Sequence, residues 1–132
     1  MVRNWVSVIL VCSVAAMVLS CGHGQILQSI TVRPPGATFE GLGAEAQFTA
    51  LGNYAYPTQT KDITDQVLWR LDAAYFATVT QTGLVTYTRS DGCGGANLTA
   101  TYYSNPNNPS AGTTVVGSAF LTGAKQGTAA CQ

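Results

Sequence analysis

The chain has 132 residues, of which only 9% are charged, and its six Lys plus Arg balance six Asp plus Glu. That length suits one domain, and the lack of a basic excess excludes an electrostatic nucleic-acid surface. A hydrophobic share of 46% with 14 Gly and zero formal net charge also excludes a disordered chain.

Residues 1–21 read MVRNWVSVILVCSVAAMVLSC. Arg3 supplies a positive n-region, and residues 5–19 form an uncharged, mainly apolar run of 15. That is the length of a secretory h-region and short of the roughly 20 residues a spanning helix needs. The run closes on Val18-Leu19-Ser20-Cys21, which resembles the lipobox of bacterial lipoproteins. The resemblance implies that the Cys21 thiol is alkylated with diacylglycerol and that cleavage before it leaves a lipidated first residue. Val18 departs from the family's usual Leu, and an ordinary secretory peptide that happens to hold a cysteine is the alternative. The implied division is a signal peptide over 1–20, a lipidated tether over 21–28 that begins with the flexible Gly22, His23 and Gly24, and a folded domain over 29–132. Two or three acyl chains, palmitate among them, would hold the protein to a membrane of the cell envelope, at the outer membrane or cell surface.

Of the four cysteines, Cys12 falls in the leader and Cys21 at the lipid position, leaving Cys93 and Cys131. An exported protein meets an oxidising compartment, so this even remainder predicts a disulfide. The two are 38 positions apart, and closing such a loop stabilises a fold by about 4 kcal/mol in the chain-entropy model. A metal site is the weaker reading, because the single His, His23, lies in the tether and no zinc ligand set can be assembled.

Beyond the tether the chain holds 17 Thr with Val, Tyr and Phe interspersed, residues that favour pleated, half-buried backbone. Period-two alternation recurs in short runs bounded by Gly, Pro, Asn or Asp. Ile30 and Val32 stop at Pro34-Pro35-Gly36. Ala46, Phe48 and Ala50 share a face opposite Glu45, Gln47 and Thr49, and Val67, Trp69 and Leu71 alternate with Leu68, Arg70 and Asp72. Ala77 and Val79 lead through a Thr82-Gly83 turn to Val85 and Tyr87. Leu98, Ala100 and Tyr102 oppose Asn97, Thr99 and Thr101, and a last run covers 113–121. The pattern predicts an all-β antiparallel sandwich of about seven strands. One segment competes: Ile63, Val67, Leu71 and Tyr75 also recur at helical spacing, and a strand through Trp69 followed by one helical turn near 72–76 is the intermediate outcome.

The order SITVRPPGATFEGLGAEAQFTALGNY, then KDITDQVLWRLDAAYFATVTQTGLVTYT, then ANLTATYY closely resembles the bacterial immunoglobulin-like domain of group 2, the module of intimin- and invasin-type adhesins. The likeness covers about residues 29–121 and rests on Gln47-Phe48-Thr49-Ala50, on the Lys61-Asp62-Ile63-Thr64 to Trp69 spacing, and on Ala77-Thr78-Val79 through Gly83-Leu84-Val85-Thr86. In such a sandwich Phe48 and Trp69 would be large core residues on facing sheets. Gly83 would supply a positive φ to a hairpin, and Asp62 and Thr64 would tie the turn ahead of Trp69. The family's topology also puts Cys93 and Cys131 at one end. Two departures are the Gly-rich loop at 90–96 that carries Cys93 and the long hairpin SNPNNPSAG at 104–112.

Catalysis fails on inventory, since no His lies where it could serve a nucleophile. The pairs Asp62 with Asp65 and Glu40 with Glu45 read as turn and surface carboxylates rather than glycosidic machinery, and Asp91, Gly92 and Asn97 offer at most a weak calcium site without a full ligand loop. We therefore expect no enzyme, cofactor or metal, and no nucleic-acid partner. The expectation is a non-catalytic binding or structural module that contacts an envelope protein or a glycan. Its candidate surface is Tyr54, Tyr56, Tyr102 and Tyr103 with Asn105, Asn107 and Asn108, because tyrosine offers both an apolar face and a hydroxyl.

Overall fold

A computed structural model of the chain describes residues 24–124. The leader, Cys21 and Cys131 lie outside the described residues. Ten strands run in chain order as β1 (Ile26–Arg33), β2 (Gly36–Glu40), β3 (Glu45–Gln47), β4 (Thr49–Ala55), β5 (Gln59–Asp62), β6 (Leu68–Leu71), β7 (Ala77–Val79), β8 (Leu84–Tyr87), β9 (Gly94–Tyr103) and β10 (Thr114–Ala124). The fold is an all-β sandwich. One layer is the sheet β2-β10-β9-β6. The other joins β1-β4-β5 to β3-β8-β7, because only Phe48 separates β3 from β4 and the pair forms one bent strand carrying both ladders.

The count exceeds the seven expected for local reasons. Phe48 interrupts the run from Glu45 by donating its amide to the Gly83 carbonyl at 2.8 Å. The β5 segment, Gln59-Thr60-Lys61-Asp62, has no buried residue and so no alternation to betray it. Pro34-Pro35 ends pairing with β4 and hands the chain to the opposite sheet, where the Phe120 amide donates to the Pro35 carbonyl at 3.1 Å. Strand β2 then lies parallel to β10, from Gly36 opposite Phe120 to Glu40 opposite Ala124, the exception in an otherwise antiparallel set. Strand β1 begins at Ile26 with Leu27 buried, so the folded part starts inside the span read as tether.

The ambiguous stretch from Ile63 to Tyr75 folds as turn, strand, turn. Gln66 bonds back to Ile63 at 2.9 Å, β6 pairs with β9, and Phe76 bonds back to Ala73 at 3.0 Å. A strand wins because this extended path buries Val67, just ahead of it, and Trp69 within it against the core while Leu68–Leu71 joins a ladder, which supplies partners for its backbone groups.

Phe48, 0% exposed, and Trp69, 5% exposed, sit in one core on opposite layers. Gly83 lies between them at φ 79°, and a Cβ there would stand 2.4 Å from the Phe48 carbonyl oxygen and 3.2 Å from the Trp69 ring. Glycine is therefore required twice over, by torsion and by space. Asp62 and Thr64 tie the turn as expected. Asp62 accepts from the Thr64 amide at 2.9 Å and hydroxyl at 2.6 Å. Thr64 Oγ1 in turn accepts from the Ala50 amide at 3.0 Å, and the Thr64 carbonyl accepts from Trp69 Nε1 at 3.0 Å.

A second aromatic group closes the core at the end where β9 starts and β10 finishes. Tyr87 stacks on Phe39 with centroids 5.7 Å apart, and Phe76 meets Tyr87 edge-on at 5.0 Å.

Candidate functional site

The opposite end of the sandwich carries the tyrosines of the candidate surface. Strand β1 starts there, the β4–β5 turn and the 104–113 loop lie there, and Ile26 pairs with Ala55 while Thr114 pairs with Tyr103. Alternation decides where each tyrosine points. Along β9 the side chains of Ala96, Leu98 and Ala100 enter the core, so Tyr102 continues the inner row at its edge and Tyr103 stands on the outer face.

Two depressions result. A pocket of about 210 Å³ is lined by Tyr54 and Tyr102 with Ile26, Leu27 and Val115. An open groove of about 620 Å³ runs between β6 and the long loop, lined by Tyr102, Tyr103, Arg70, Gln66 and Gln81 together with Pro106 and Pro109. Partial burial, and then the proximity of Tyr102, push the Tyr54 hydroxyl above its ordinary range. Lys61 sits 5.3 Å from the Tyr54 ring centroid and donates to Gln25.

Three of the residues foreseen, Tyr54, Tyr102 and Tyr103, are thus brought together. Tyr56 is not among them: it is 79% exposed at the tip of the β4–β5 turn, φ 54°, and lines neither depression. The asparagines also stand apart. Asn105 accepts from the Asn108 amide with both its side-chain oxygen, at 3.1 Å, and its carbonyl, at 3.2 Å, shaping the loop ahead of the 3-10 turn Pro109–Ala111. Asn107 and Asn108 line neither depression. Arg70, Gln66 and Gln81 were missed because they arrive from distant segments, with no local signal beyond Arg70's place on the polar side of its strand.

Of the carboxylates considered for chemistry or calcium, Asp62, Glu45 and Asp91 accept structural hydrogen bonds, and Asp72, outside that set, does so as well. Hydrogen bonds from Thr64 hold the Asp62 carboxyl below its ordinary range, and those from the Asn97 side chain and backbone do the same for Asp72. Arg89 grips Asp91 through both carboxylate oxygens, lowering it to about 2. Asp91 and Asn97, the pair considered for calcium, are thereby committed to Arg89 and Asp72. Among the described residues no group of three or more His, Cys, Asp or Glu is placed to hold a metal, and no helix is long and apolar enough to cross a membrane.

No family model matches the chain, and a search of curated proteins found no match.

Proposed function

We propose that this chain is a bacterial cell-envelope lipoprotein, anchored through Cys21, whose single immunoglobulin-like domain of group 2 type works as a non-catalytic binding module. The observation that carries the reading is the pair of tyrosine-lined depressions at one end of a rigid sandwich, with no carboxylate among the described residues lining either. Asp62, Asp72 and Asp91 are all held ionised, the direction opposite to that needed by a general acid. The motif contacts support the family likeness, since Asp62, Thr64 and Trp69 form one bonded unit and Gly83 fits between Phe48 and Trp69.

A Cys93–Cys131 bridge belongs to the same proposal. Gly123 pairs with Gly94, so β10 finishes beside the residue after Cys93, and Cys93 is not a free thiol. The five residue steps from Cys21 to Ile26 reach at most about 18 Å, which keeps the depressions close to the anchoring membrane and favours a partner in the envelope itself.

Labelling with radioactive palmitate is expected to mark the wild type and not Cys21→Ala; equal label on both overturns the anchor. Pull-down at high salt with the wild type, compared with a Tyr54→Ala, Tyr102→Ala double variant, tests the binding end. Turnover of a polymer by the purified chain would overturn the non-catalytic role. The carbohydrate reading is favoured by one specific feature, the composition of the larger groove.

A further inference from the structure

We propose that the groove between β6 and the 104–113 loop binds a saccharide bearing uronic acid, with Arg70 receiving the carboxylate and Tyr103 receiving a pyranose face. This deepens the non-catalytic binding reading and rests on it.

The groove's volume of about 620 Å³ lies within the roughly 300–1,000 Å³ usual for small-molecule sites. A pyranose presents apolar C–H faces ringed by hydroxyls, so its receptor needs a flat apolar surface beside donors and acceptors. Tyr103, Pro106 and Pro109 supply the first, and Gln66 and Gln81 the second. Gln81 is already fixed, because its Nε2 donates to the Val67 carbonyl at 2.6 Å and leaves Oε1 to accept from a ligand hydroxyl.

Charge selects the kind of sugar. Arg70 is the one charged residue among the described residues lining the groove, and its guanidinium has no hydrogen-bond or ion-pair partner among them, whereas Arg89 is paired with Asp91. A planar guanidinium takes a carboxylate through two parallel hydrogen bonds, and no acid in the groove competes for it. The same Gln81 bond argues against an extended peptide. It occupies the carbonyl just ahead of β6, blunting the sheet edge on which a peptide strand would be added.

The test uses the full chain purified in mild detergent and isothermal titration with three probes: oligogalacturonate, oligoalginate and a hyaluronan oligosaccharide. Maltohexaose and the methyl ester of oligogalacturonate serve as neutral controls, and decaproline as the peptide control. At least one acidic probe is expected to bind, to weaken as salt rises, and to weaken at least about tenfold in Arg70→Gln. Tyr103→Ala is expected to weaken acidic and esterified forms alike. Arg70 is exposed, so its variant keeps the fold, and unchanged circular dichroism verifies that. Absence of binding by all three acids, equal affinity for ester and acid, an unchanged Arg70→Gln, or capture of decaproline alone each overturns the proposal. An envelope protein still captured at high salt by a chain that ignores all three acids would refute the sugar while leaving the binding-module reading intact.

Discussion

The two ends of the sandwich are both built from aromatic side chains, and they use them in opposite ways. Where β9 begins, Phe39, Phe76 and Tyr87 are packed ring on ring in the interior. Where β9 ends, Tyr54, Tyr102 and Tyr103 are half-buried around open depressions. The hydroxyl marks the difference. Burial pushes the Tyr87 hydroxyl above its ordinary range, and it finds no hydrogen-bond partner among the described residues. One end holds the fold together, and the other offers side chains whose polar groups remain open to an incoming molecule.

The largest effect that separates the ends is expected from Phe76→Ala. It removes a fully buried ring from the closed end and should cost about 3–5 kcal/mol in chemical denaturation, while leaving the affinity of the groove for its ligand unchanged at temperatures where the variant is folded. A parallel loss of affinity would mean the ends are coupled. Next comes Thr64→Val, at the joint between them. It removes the acceptor of the buried Ala50 amide and should cost about 1–3 kcal/mol, with the environment of Trp69 altered because Trp69 Nε1 bonds to the same residue's carbonyl; intrinsic fluorescence reports it.

Tyr87→Phe has the opposite sign. Deleting a buried hydroxyl that has no partner should stabilise the chain by about 1 kcal/mol, visible as a raised Tm, and a lowered Tm would reveal a bond to that oxygen. Tyr103→Ala, on the outer face, should shift stability by no more than about 0.5 kcal/mol. Acid makes the finest distinction. Asp62, Asp72 and Asp91 have lowered carboxyl ranges in the fold, so their contribution is present above the ordinary carboxylate range and is lost as pH falls, for Asp91 through about 2. Melts from pH 6 down to 2 should show a smaller decline in Asp91→Asn than in the wild type, and an identical decline would remove Asp91 from the account.

Much of this was legible where the contacts are local. Asp62, Thr64 and Trp69 lie close in the chain, so their spacing reports a bonded turn directly, and alternation along 96–103 reports which way each side chain faces. Strand β5 left no such mark, because an edge exposed on both faces has no reason to alternate. The parallel pairing of β2 depends on the chain crossing between layers at Pro34-Pro35, an outcome of tertiary packing. The same limit explains the groove. Tyr102 and Tyr103 were visible as neighbours in sequence, whereas Arg70, Gln66 and Gln81 reach them through strand order. It also explains Tyr87, which carries the same polar handle as the surface tyrosines and reads no differently until its neighbours are known.

The parallel placement of β2 beside β10 has a mechanical consequence. Residue 26 leaves one pole of the domain and residue 124 the other, and both strands head toward the second pole. Tension between those two points drags the neighbouring strands past one another, so the five register pairs of that ladder resist as a group and cannot unzip in sequence. A domain wired this way bears load along its long axis better than its modest size suggests.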